Sequence, residues 1–126
     1  MVLSKRIARF NKVATNRVLG RAAPRLPGMA MVVHQGRRSG RRFETPVNVF
    51  ERPDGYVIAL TYGPDADWVR NILAASGCEI VTKGRTIRLT DPRVVHDEDR
   101  TDMPKRARFI LARFGVSDFL YLRRAD

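Results

Sequence analysis

Between Met29 and Gly84 the apolar residues gather in short runs separated by turn signals. MAMVVHQ (29–35), RRFETPVNVF (41–50) and YVIALTYG (56–63) are rich in β-branched and aromatic side chains. GRRSG and ERPDG interrupt them, so the stretch predicts a three-strand meander. The period then changes. Pro64, Asp65 and Asp67 open DWVRNILAAS, in which Trp68, Ile72 and Ala75 share a helical face and Gly77 offers a stop. CEIVTKGRTIRLT predicts a hairpin turning at Lys83-Gly84, and DPRVVHDEDR extends that sheet into acidic loop residues. Met103, Ala107, Ile110 and Phe114 mark a second amphipathic helix closed by Gly115, and DFLYLRR reads as a last strand.

Ahead of the meander, Leu3, Ile7, Phe10, Ala14 and Val18 recur at steps of three and four among Lys5, Arg6, Arg9, Lys12 and Arg17. Residues 1–20 therefore predict a basic amphipathic helix, ended by the prolines of APRLPG. Its apolar stripe has two uses, packing on its own domain or peripheral contact with an anionic membrane. Strands and helices without βαβ alternation argue for an antiparallel α+β fold, and closure into a small barrel would protect the sheet edges. At 126 residues the chain predicts one domain, 1–126.

Composition refines this picture in one respect. Lys and Arg outnumber Asp and Glu by 24 to 13, a formal charge of +11, which calls for an anionic partner. No apolar run approaches the roughly 20 residues of a membrane span. A single cysteine, Cys78, and an N-terminus whose charges interrupt its apolar positions favour the cytoplasm, with the inner face of the membrane as a second location. Nucleic acid is disfavoured, because the aromatics fall at core positions rather than alternating with arginines on one exposed face.

Charge is densest in GRRSGRRFETP, where Arg37, Arg38, Arg41 and Arg42 surround Ser39 and Gly40. Like charges this close repel unless an anion lies among them. Glycines permit a tight turn, and guanidinium forks match phosphate or carboxylate oxygens. An exposed charged hairpin tip is the plain alternative. His34, Cys78 and His96 lack metal-ligand spacing, and neither paired carboxylates nor a nucleophile elbow occurs, so any chemistry would be brought by a cofactor.

Gly36-Arg37-Arg38-Ser39-Gly40, the Thr45-Pro46 step and Trp68-Val69-Arg70-Asn71 resemble, in order and spacing, the G-R-[KR]-S-G, downstream P and W-x-x-N pattern of the deazaflavin-dependent nitroreductase family. The resemblance runs from the basic N-terminal helix to the final strand. It implies an antiparallel split β-barrel of the FMN-binding type, with an N-terminal helix, a short helix after the third strand and a C-terminal helix. It also implies reduced 8-hydroxy-5-deazaflavin, coenzyme F420, as hydride donor to quinones, nitroaromatics or similar apolar acceptors, with FMN a weaker ligand. Arg37, Arg38, Ser39 and Gly40 would hold the phosphate, and Arg41 and Arg42 would help or meet the glutamate tail. Pro46 and Asn48 would lie beneath the ring, Thr61 and Tyr62 beside it, and Trp68 with Asn71 would wall the site. Trp68 is equally open to a core reading. Tyr121 is the one phenol to consider as a proton donor; no other catalytic residue stands out.

Three departures bear on the ring side. Tyr62 stands where relatives often carry a basic residue, Asp67 where they have proline, and Ala75-Ser76-Gly77 where they have A-N-P. A non-catalytic carrier of a flavin-like or fatty-acid ligand on the same barrel remains the rival to an enzyme, as a monomer or a homodimer.

Overall fold

The computed structural model describes residues 28–125. Six strands, β1 (Met29–Gln35), β2 (Arg42–Arg52), β3 (Gly55–Ala59), β4 (Gly77–Thr82), β5 (Arg85–His96) and β6 (Asp118–Arg124), close in the order β1-β2-β3-β6-β5-β4. Every neighbouring pair is antiparallel. Two helices accompany them, α1 (Asp67–Ala75) and α2 (Lys105–Arg113). This is an α+β antiparallel barrel, as the strand pattern predicts. The N-terminal helix expected over residues 1–20 lies outside the described residues.

Strand pleating sends alternate residues inward. Ala30 and Val32, Val47 and Val49, Tyr56 and Ile58, and Leu120 and Leu122 meet Ile80 and Leu89 in the barrel interior. Helix α1 packs against β1, β4 and β5 and adds Trp68, Val69 and Ile72 to that cluster. A second cluster lies outside the barrel wall, where Val57, Ala59 and Phe119 pack against Met103, Leu111 and Val116. Strand β3 is thus buried on both faces, which explains its unbroken apolar run.

At the β3–β6 seam a Cβ on Gly55 would run into the Leu122 carbonyl, so that position accepts only glycine without backbone movement. Among the described residues no helix is long and apolar enough to cross a membrane.

Three local expectations need correction. Ala75 is exposed, and Val69 takes its place on the buried face of α1. The helix stops at Ser76, which takes the left-handed conformation with φ 60°. Gly77 instead begins β4 opposite Thr90, where a side chain would collide with the Leu89 carbonyl. In the second helix Leu111 is the buried residue, with Ala107 partly buried and Met103 buried just ahead of it; Ile110 and Phe114 are more than half exposed. Gly115 closes that helix at φ 69°, as expected.

Candidate functional site

The arginine segment is the β1–β2 hairpin loop. Gly36 N–H donates to the Arg41 carbonyl (2.8 Å), Gly40 N–H to the Gly36 carbonyl (2.9 Å), and Arg41 N–H to Ser39 Oγ (3.2 Å). Gly40 has φ 71°, a conformation that favours glycine. The four guanidinium groups are not equivalent. Arg37 reaches Asp67 (3.2 Å) and Arg42 reaches Glu44 (3.0 Å), whereas Arg38 and Arg41 form no ion pair among the described residues. Two cations without an ion-pair partner on a tight turn leave their guanidinium donors open to anionic oxygens.

Asp67 replaces the proline of the resembled family and here neutralises Arg37. Asn71, buried at 5% exposure, does not line the pocket described next; its Oδ1 accepts from Arg37 N–H (3.1 Å) and Nη1 (2.8 Å). Its Nδ2 lies 3.1 Å from His34 Nδ1, and His34 Nε2 lies 3.1 Å from Thr45 Oγ1. His34 also stacks on Phe43, with ring centroids 5.7 Å apart. No buried side-chain polar atom lacks a partner among the described residues.

A pocket of about 380 Å³ opens beside β2. Of the expected residues, Pro46, Asn48, Thr61, Tyr62 and Trp68 line it. Sequence reasoning missed Met29, Ile110, Leu111, Phe114 and Val116, which complete an apolar wall. Thr45 also lines it, and Arg42, the first residue of β2 after the turn, stands three residues away, roughly 10 Å along an extended strand. A larger cavity of about 430 Å³ lies toward the other end of β2 beside the Arg52–Asp102 ion pair (3.1 Å), away from the arginine turn.

Tyr121 is not among the residues lining either cavity. Its hydroxyl donates to Asp102 Oδ2 at 2.6 Å, and burial, then that contact, pushes its pKa up to about 12. Burial, reinforced by the neighbouring Glu79 charge, raises the Cys78 thiol to about 12 and keeps it protonated. No cluster of three or more His, Cys, Asp or Glu among the described residues could hold a metal ion.

The described residues thus form a small antiparallel barrel with an apolar slot, joined along one strand to an arginine turn. Residues 5–118 match the family model described as F420H(2)-dependent quinone reductase, and the chain belongs to that family. It is a deazaflavin-dependent reductase. Among solved structures, one described as an F420-H2 dependent reductase (FDR-A) superposes with a TM-score of 0.54 at 16% identity, covering 77% of this chain and 95% of its own. Another, described as a domain-swapped dimer, gives 0.55 at 15% identity, with 93% and 99% covered. No curated protein sequence matches the chain. At these identities the two structures bear on the fold alone.

Proposed function

We propose that this reductase binds F420 with its ring in the slot walled by Trp68 and its phosphate on the turn at Arg38–Arg41, and reduces an apolar quinone. The supporting observation is that β2 joins the apolar slot to the turn: Thr45 lines the slot, Arg42 stands roughly 10 Å back along the strand, and the turn before it carries the uncompensated Arg38 and Arg41. The groups present suit that coenzyme: Trp68, Pro46 and Val116 for a flat ring, and Arg38, Ser39 and Arg41 for phosphate and carboxylate oxygens.

Bound reduced F420 supplies the hydride. The protein orients and shields: its apolar wall excludes water, and holding donor and acceptor in attack geometry lowers the barrier by roughly 7–11 kcal/mol. Ile110 and Phe114 stand at the exposed side of the slot and select an apolar acceptor. FMN, without the glutamate tail, binds more weakly. The split-barrel classification and a homodimer belong to this reading too.

The test is oxidation of reduced F420, followed optically, with menadione and with a nitroaromatic compound. Acceptor-dependent turnover by wild type, with coenzyme affinity lost on Arg38→Ala, is the expected result. Tight coenzyme binding with no oxidation across a broad quinone and nitro panel would leave a carrier.

A further inference from the structure

Arg37 heads the arginine motif, yet its contacts run back to helix α1. Its backbone N–H and Nη1 both donate to Asn71 Oδ1 (3.1 and 2.8 Å), and Nη2 donates to Asp67 (3.2 Å). Because Asn71 Oδ1 receives both Arg37 donors, its amide nitrogen faces His34 Nδ1 at 3.1 Å, and that nitrogen must accept. The proton of His34 then sits on Nε2 and is donated to Thr45 Oγ1. Asn71 and His34 are 5% and 6% exposed, so neither can exchange these partners for water cheaply. The hairpin beyond them has few internal ties, the Gly36 and Gly40 bonds and the one Arg41 N–H donates to Ser39 Oγ, while Arg38 and Arg41 repel each other.

We propose that Asn71, seated on His34, is a positioning residue that clamps the hairpin through Arg37, so that Arg38 and Arg41 are presented together to the coenzyme phosphate. The inference deepens the deazaflavin reading and rests on it. Arg37 then serves as the hairpin's anchor and leaves the anion to its neighbours. Trp68, three residues before Asn71 on α1, lines the slot, so the same helix sets the ring wall and the phosphate turn.

The clamp can be separated from general structural damage with two ligands that share ring and ribityl chain: F420, and its deazariboflavin core lacking phosphate and tail. Dissociation constants would be measured by fluorescence titration for wild type, Asn71→Leu, Asn71→Asp and Arg37→Met. Asn71→Leu is expected to weaken F420 about ten- to hundredfold, the scale of one charge-assisted hydrogen bond, and to change binding of the deazariboflavin core less than about twofold. Asn71→Asp keeps an oxygen for Arg37; with the His34 proton moved to Nδ1 to meet the carboxylate and Thr45 Oγ1 donating to Nε2, it should hold F420 within about threefold of wild type. Should Asn71→Leu fail to fold, Arg37→Met, cut from the solvent side where the arginine side chain is 28% exposed, is expected to give the same selective loss.

A folded Asn71→Leu protein that binds F420 as wild type does, or loses both ligands equally, would overturn the clamp. Wild type that binds neither ligand would overturn the deazaflavin reading and the clamp with it.

Discussion

Replacing Trp68 with alanine separates the two uses its position allows. The indole is 7% exposed, belongs to the barrel cluster with Val69 and Ile72, and also walls the slot. Removing a buried tryptophan side chain typically costs about 3–5 kcal/mol. Here one side of the resulting void opens on the slot and can take water, which favours the lower end, about 3 kcal/mol. For a domain of this size that is a fall in Tm of roughly 10–15 °C, which still leaves a folded protein at 25 °C. A ring displaced by about an ångström loses on the order of a hundredfold in rate. Trp68→Phe keeps an aromatic wall and should lose far less of both.

The assay pairs thermal unfolding with F420 oxidation by menadione at 25 °C. If Trp68→Ala is destabilised as expected but turns over within twofold of wild type, the indole is core packing alone and the ring is not held where we propose.

Four other outcomes are expected. Arg38→Ala combined with Arg41→Ala should weaken F420 by about 3–6 kcal/mol while leaving Tm unchanged, since neither side chain forms an ion pair among the described residues; titration at two salt concentrations checks this. Gly55→Ala should cost about 3 kcal/mol or more, measured by urea unfolding, because its methyl meets the Leu122 carbonyl. Hydrogen bonds to Asp118 first, and to Glu98, raise the His96 pKa above 6.5, so its stabilisation is full below pH 6.5 and is lost as pH rises through the folded value. The Tm advantage of wild type over His96→Gln should therefore shrink as pH is raised from 5.5 to 8.5. Cys78, with its thiol at about 12, should resist iodoacetamide at pH 8 in the folded protein and react once unfolded, as mass spectrometry would show.

The strands were legible because their residues state a local preference: β-branched runs bounded by Gly-Arg and Pro-Asp turns need no tertiary context. Pro46, Asn48, Thr61, Tyr62 and Trp68, which line one pocket, were named by the family resemblance and by no local pattern of their own. Helix faces were harder. Ile110 and Leu111 are adjacent and both apolar, and only the tertiary cluster of Val57, Ala59, Met103, Val116 and Phe119 decides which is buried. The His34–Asn71 contact spans 37 residues and no period reveals it. One signal was present: His34 follows Ala30 and Val32 on the inward side of β1, so a polar atom there needed a buried partner.

Ala59, Leu111 and Val116 belong both to the outer cluster and to the slot, while Ile110 and Phe114 line the slot from an exposed position. Those two groups have different evolutionary freedom. A change at Ala59 alters substrate space and core volume together, so most variants there are removed before their catalysis is ever tested. Ile110 and Phe114 can drift at almost no cost in folding, and new acceptor preferences should accumulate at those two positions first.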